Sequence, residues 1–368
     1  MRLVYMRGLI FLTELNGGGA EKIMVDYCTR ISPTILFDFV VCDGPEGILE
    51  NKVTSLGCNV FKVPRIRKHF FKYLKTLNTI FDNNKYDFVH DNNGYHGFFE
   101  LRCAKRHKIK TRIAHSHIAK VPLNFFKQIE RRIFTFLTKK VATDLFACGK
   151  EAAEWMWGQK TNCFIMNNAI DVSLYKFEPN LRELKRKELQ IDDNTLAICN
   201  VGRFCDQKNH FFMLNVMKSL IDSGVNAKLV LVGDGPLKDS VEKRCLAYGL
   251  ENYVLFLGIR NDVGSILNAM DVFFLPSLFE GLAIVLVEAQ ANELPCVVSN
   301  AVTKEANLGL VTFLDLTSSV ETWGKAIVDS KRKIIGNNNL LLDSFNIDVQ
   351  ASKQIEVYKK LVIKNTNN

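Results

Sequence analysis

A chain of 368 residues, 47% apolar and 24% charged, is longer than one hydrophobic core usually serves and has material for two. No apolar stretch approaches the ~20 residues a helix needs to cross a bilayer, so no spanning helix is expected. The net charge of +9 is uneven, with 26 Lys and Arg against 15 Asp and Glu through residue 170 and 22 against 24 beyond it. No helix-turn-helix, zinc-finger or RNP signature accompanies the basic half, so nucleic acid is not the expected partner.

In chain order, the first apolar run (residues 8–13) is short and leads into Gly17-Gly18-Gly19 rather than a small-residue cleavage site. It predicts a buried strand and not a signal peptide. Met6-Arg7 is a second plausible start, which would leave residues 1–5 as an extension. Strands are predicted over 9–12, which lies in that run, and over 35–41, 60–63, 87–90, 111–114, 145–148 and 163–166, with helices notably over 20–31, 70–81 and 125–139. The pattern restarts after about residue 170 with strands over 196–201, 228–232, 254–257, 272–275 and 296–299. Helices are predicted between them over 209–223, 236–248, 262–269 and 282–292.

Short apolar runs alternating with helix-length segments mean parallel sheets covered on both faces, and two series mean two doubly wound domains facing across a cleft. The expected domains are 1–170 and 171–345, joined near Asn167-Asn168-Ala169-Ile170-Asp171 and a charged segment over 176–194. A last amphipathic helix over 348–363, within 346–368, is expected to pack back on the first domain. Basic residues cluster over 65–75, 102–112 and 127–140, each time mixed with Phe, Tyr or Ile. That mixture suits peripheral contact with an anionic membrane surface, although solvated helix faces produce much of the same pattern.

Ten cysteines occur singly with no C-x-x-C pair, and Cys42, Cys148, Cys199 and Cys296 lie in apolar runs. Reduced thiols, a cytoplasmic location and no structural zinc are expected.

Ligands of open α/β sheets bind beyond the carboxyl ends of the strands, so the loops there are where chemistry is expected. The first, Asn16-Gly17-Gly18-Gly19-Ala20-Glu21, can present backbone N–H groups to an anion, or be only a tight turn. It is not G-x-G-x-x-G, and no acid stands where a dinucleotide ribose would need one. His90-Asp91-Asn92 and His115-Ser116-His117 close two strands, and a histidine there can position or deprotonate a hydroxyl or serve only structure. After strand 196–201, Arg203 and Lys208 bracket a turn before a helix, where both could grip a diphosphate.

The stretch from Val272 to Ser299 then reads as strand, loop, amphipathic helix and strand, with Glu280-Gly281 before the helix and Glu288 inside it. A helix N-terminus attracts phosphate, and acceptor-only carboxylates on its flanks suit hydroxyl-rich sugar and ribose.

Together these residues resemble the family 4 retaining glycosyltransferases of the two-Rossmann GT-B type, specifically those of bacterial capsule and exopolysaccharide synthesis. The resemblance rests on Gly17-Gly18-Gly19-Ala20-Glu21-Lys22, Arg112-Ile113-Ala114-His115-Ser116-His117, Val201-Gly202-Arg203-Phe204 through Lys208-Asn209-His210, Leu231-Val232-Gly233-Asp234-Gly235-Pro236, and Phe279-Glu280-Gly281-Leu282 through Glu288-Ala289-Gln290. They span almost the whole chain in order. Ala283 stands where the family commonly has Pro, and Asn168-Ala169-Ile170-Asp171 where Asn-Gly-Ile-Asp is common.

The resemblance implies that Glu280 holds hydroxyls of the donor sugar and Glu288 the ribose. Arg203 and Lys208 would neutralise the leaving diphosphate with the backbone N–H groups of Gly281, Leu282 and Ala283. Gly18 and Gly19 would close over the phosphates, Ile259 and Arg260 would meet the base, and His117 or His115 would face the acceptor.

No Asp-x-Asp occurs, so no metal or other cofactor is expected beyond the nucleotide sugar as co-substrate. The expected activity is metal-independent, retaining transfer of a hexose or HexNAc, UDP-linked by resemblance, to a saccharide on a polyprenyl pyrophosphate lipid at the inner membrane face. A nucleotide-sugar epimerase of the same architecture and a non-catalytic nucleotide-sugar-binding protein are the alternatives.

Overall fold

The computed structural model describes residues 6–117, 124–332 and 340–367; the extension considered at residues 1–5 lies outside them. The chain divides into two compact units, Met1–Ile170 with Ser344–Asn368, and Asp171–Asp343.

The first unit carries β1 (Met6–Phe11), β2 (Ile35–Cys42), β3 (Val60–Val63), β4 (Phe88–Asp91), β5 (Thr111–Ser116), β6 (Asp144–Ala147) and β7 (Phe164–Ile165) in the order β3-β2-β1-β4-β5-β6-β7. The second carries β8 (Leu196–Val201), β9 (Ala227–Val232), β10 (Val254–Gly258), β11 (Val272–Leu275), β12 (Cys296–Ser299) and β13 (Val311–Leu314) in the order β10-β9-β8-β11-β12-β13. Every pairing is parallel. Strands β4, β11 and β12 are buried at every residue, as strands sandwiched between two helix layers must be. In each sheet the winding reverses beside its first strand, between β1 and β4 and between β8 and β11, which is where ligands of open α/β sheets bind.

In the first core Leu9, Phe11, Leu77, Leu101 and Met156 pack together, and Gly8 lets the Phe88 ring lie against the backbone, since a Cβ there would sit 2.3 Å from it. Met213, Met217, Phe274 and Trp323 fill the second. Helix Ile347–Asn367 belongs to the first unit. Its buried Tyr358 stacks on Phe88 with ring centroids 4.5 Å apart and meets His90 Nδ1 at 2.7 Å through its hydroxyl. Arg30 with Asp348 and Lys364 with Asp144 pair along its length.

The segment 176–194, read above as a charged linker, instead contains helix Pro179–Glu188. Its charges are used inward: Lys185 Nζ lies 2.6 Å from Glu188 and 2.9 Å from Asp262, while Arg186 donates to Asp271 at 3.2 Å and to the Thr195 carbonyl at 2.8 Å. Strand β13, an edge strand with no fully buried residue, was not among the strands predicted. The ten cysteines are free thiols; Cys148, Cys199 and Cys296 are buried and Cys42 only half so.

Candidate active site

In the second unit the loops after β8 and β11 meet at the reversal point of the sheet. The β8 loop passes Gly202, Arg203 and Phe204, makes a short 3-10 turn over Asp206–Lys208, and bends at Asn209 in the left-handed region (φ 58°) into helix His210–Asp222. Three hydrogen bonds fasten it to the β11 loop: Leu278 N to the Gln207 carbonyl (2.8 Å), Gln207 Nε2 to the Phe279 carbonyl (3.0 Å), and Asn209 Nδ2 to the Pro276 carbonyl (3.1 Å). Lys208 Nζ thereby reaches Glu280 Oε1 at 2.6 Å; Ser277 Oγ donates to the same oxygen at 2.8 Å and Gln207 Nε2 to Oε2 at 3.1 Å. Lys208 and Glu280 are both largely buried, so the carboxylate is matched by a cation and two neutral donors, as an ion pair withdrawn from water requires. Gly202 makes room for it, since a Cβ there would lie 3.0 Å from Lys208 Cε.

Beyond Glu280, residues Gly281, Leu282 and Ala283 lead into helix Ile284–Ala291. Ala283 is its N-cap and has no side chain able to accept from the first turn, so the positive helix end keeps its capacity for an outside anion. The helix was expected to be amphipathic; the structure buries Leu286 through Gln290 without interruption, because strands and loops cover it all round. Glu288 is accordingly buried, and its Oε1 accepts from the Tyr175 hydroxyl at 2.7 Å. Asn292 Nδ2 in turn holds the Tyr175 carbonyl at 2.9 Å.

Tyr175 was not singled out in the sequence. It follows shortly after the junction motif Asn168-Ala169-Ile170-Asp171, which was read only as the domain boundary.

Arg203 and Ile259 are exposed, and Arg203 makes no ion pair among the described residues. Arg260 is held by carboxylates of its own unit. Asp262 grips it through both carboxylate oxygens, at 2.8 and 2.7 Å, with Glu188 at 3.6 Å. The Arg260 hydrogen bonds, with Lys185 after them, hold the Asp262 carboxyl far below the usual range.

In the first unit, Gly18 is the N-cap of helix Gly19–Ile31, and its N–H donates to Glu21 Oε2 at 2.9 Å. The chain's own carboxylate thus holds one of the N–H groups proposed for an anion. His115 is buried, with Nδ1 3.0 Å from His90 Nε2, and its ring lies 4.0 Å from that of His117. His117 is half-buried and donates from Nε2 to Asn92 Oδ1 at 2.8 Å. Burial holds His117 down to about 4, and burial with the nearby His117 charge holds His90 down to about 3. His115 is pushed well below its ordinary value by burial and by both neighbours. All three rings are neutral near pH 7, and His117 stands at the open end of its strand while His115 faces inward.

Residues 182–306 match the family described as glycosyl transferases group 1. EpsF of Bacillus subtilis (strain 168), which carries the glycosyltransferase name, is 32% identical over 332 residues, 87% of this chain and 86% of its own. An Escherichia coli enzyme, UDP-Gal:alpha-D-GlcNAc-diphosphoundecaprenol alpha-1,3-galactosyltransferase, is 32% identical over 212 residues, 54% of each chain. The crystal structure of Anabaena HepE in complex with UDP and glucose superposes with a TM-score of 0.73 at 17% identity, covering 99% of this chain and 100% of that one. The two parallel-sheet domains are those of the GT-B fold. The chain belongs to the group 1 glycosyltransferases, and the enzyme class is glycosyltransferase.

Proposed function

We propose that this glycosyltransferase moves a hexose or HexNAc, with retention of configuration and without a metal ion, from a UDP-sugar to a saccharide carried on a polyprenyl pyrophosphate lipid during capsule, exopolysaccharide or O-antigen assembly. The observation that carries it is the Lys208–Glu280 ion pair at the reversal point of the second sheet, beside a helix start that no side chain caps. Lys208 and Arg203 supply the charge that a departing diphosphate needs, and with no Asp-x-Asp in the chain these fixed cations take the part a bridging metal would otherwise play. Glu280, oriented by three donors, accepts from hydroxyls of the sugar; Glu288, oriented by Tyr175, accepts from those of the ribose.

The acceptor hydroxyl oxygen bonds to the anomeric carbon on the face from which the bond to the β-phosphate oxygen breaks. Its proton passes to that departing oxygen, and UDP leaves. His117, neutral and at the open end of its strand, is the histidine placed to face the acceptor. The undecaprenol-linked substrate named for the Escherichia coli relative supports the lipid acceptor, and UDP in both that name and the HepE complex supports the nucleotide. Such an acceptor is membrane-borne, so the enzyme works at the cytoplasmic face, drawn there by its basic first unit.

The test is a panel of UDP- and GDP-sugars incubated with purified protein and lipid extract, products being identified by mass. A UDP-sugar should give a lipid-linked glycoside only when the extract is present. An altered sugar nucleotide formed without any acceptor would establish an epimerase instead.

A further inference from the structure

Helix Phe125–Val141 carries large apolar side chains on its outward side as well as on the side packed against the core. Its inward side also uses polar groups: buried Thr138 donates to the Tyr95 carbonyl at 3.1 Å, and Arg131 Nη1 to the Trp155 carbonyl at 2.7 Å, beside the core-packed Phe134 and Leu137. Its outward side is apolar. Phe125 (71% exposed), Phe126 (80%), Ile129, Ile133 and Phe136 (60%) recur at the spacing of a single helix face.

Phe71 is likewise 85% exposed, near the start of the neighbouring helix Phe70–Asn83. The two helices are connected through the Phe70, Phe99 and Phe134 rings (centroids 5.3 and 6.0 Å apart) and through Arg67 and Glu130 at 3.7 Å. Arg132 flanks the strip and Lys140 lies over the Phe136 ring at 5.1 Å, while the exposed Arg67, Lys68, Lys72 and Lys127 add to the cationic surface of this part of the unit.

We propose that this face is a membrane-docking surface: the helix lies in the interface of an anionic phospholipid bilayer, its Phe and Ile side chains among the acyl chains and its cations among the headgroups. This deepens the reading of a membrane-borne acceptor and rests on it for its purpose. Five large apolar side chains exposed along one helix face form a contiguous patch of the kind that marks an interaction site, not apolar residues scattered singly. The cationic surface selects the occupant: it complements a negatively charged lipid surface, whereas a second copy of the chain would bring like charges face to face. General attraction of the basic unit would fade as salt is raised, but burial of aromatic rings does not, and this separates insertion from mere electrostatic adhesion.

The full chain would be sedimented with vesicles of phosphatidylcholine alone and of equal parts phosphatidylcholine and phosphatidylglycerol, at low and high salt. Wild type should bind the anionic vesicles and keep much of that binding in high salt. The variant Phe125→Ser/Phe126→Ser/Phe136→Ser should lose roughly tenfold or more at both salts while unfolding at the wild-type denaturant midpoint. Lys127→Glu/Arg132→Glu should lose chiefly the low-salt part.

Unchanged sedimentation of the triple-serine variant, or a wild type that stays in the supernatant, would overturn the proposal. So would a wild-type dimer that those serines dissolve without touching vesicle binding. Titration of the same proteins with the sugar-nucleotide panel keeps the two readings apart: a chain that docks as described yet binds no sugar nucleotide retains the surface and loses the function.

Discussion

Lys208 Nζ lies 2.6 Å from Glu280 Oε1, so two residues 72 apart in sequence, assigned opposite tasks on the donor, hold each other in place before any donor arrives. Replacing Lys208 by Ala removes the cation but leaves Glu280 its bonds from Ser277 and Gln207. We expect kcat to fall by about 10²–10³-fold, the scale of losing one positioned charge stabiliser, with cooperative unfolding preserved. The double variant Lys208→Met/Glu280→Gln should recover stability relative to Lys208→Met without recovering turnover. Near-normal transfer by Lys208→Ala would remove this lysine from the mechanism.

Tyr175→Phe deletes one donor to Glu288 and nothing else of volume. A hydrogen bond to a charged acceptor is worth about 1.5–3 kcal/mol, so KM for the sugar nucleotide should rise by roughly tenfold or more with little change in kcat. Steady-state kinetics in donor concentration separates this from a general loss of fold, which would lower the active fraction and leave KM alone.

Tyr175 also marks where sequence reading stops. Strands β3, β8, β11 and β12 coincide with the predicted limits because each is a short apolar run with turn residues at its ends. Glu280, Glu288 and Lys208 were legible as motif positions. What ties each of them down was not: the Tyr175–Glu288 contact spans 113 residues and leaves no local pattern. Helix Pro179–Glu188 escaped because Lys185 and Arg186, which look solvated in a charged run, are buried on Asp262 and Asp271. Arg260 likewise reads as a free ligand-binding cation until the fold sets Asp262 against it.

His210 is buried, stacked on Phe204 with ring centroids 4.1 Å apart, and neither ring nitrogen has a hydrogen-bond partner among the described residues. Burial, and then the charge of Lys208, lower its pKa to about 4, against an ordinary 6.5. Between those values the unfolded chain takes up a proton that the folded chain refuses. The His210 contribution is therefore constant above about pH 6.5 and turns against folding as pH drops toward 4. His210→Phe keeps the stack and removes the titration. Relative to wild type it should gain up to about 1.4 kcal/mol per pH unit on going down through that window, as urea unfolding at several pH values would register. A constant difference across the window would refute the assignment.

Gly233 sits at φ +136° with its α-carbon so close to the β8 loop that a Cβ would meet the Gly202 carbonyl oxygen at 2.1 Å. Gly233→Ala should therefore cost about 2 kcal/mol or more and shift the turn that carries Arg203. Both a lower urea midpoint and a reduced kcat are expected, while Gly249→Ala, at a positive φ but in open space, should lose stability alone.

Tyr358 meets His90 across 268 residues of chain, and the helix that bears it completes the wall of the unit whose sheet begins at Met6. On the ribosome, residues 171–343 are all available to condense while that wall is still being translated. The unit that holds this helix is thus completed only after residues 171–343 have been made, and until the helix emerges its sheet offers bare apolar surface around Phe88 to chaperones or to neighbouring nascent chains.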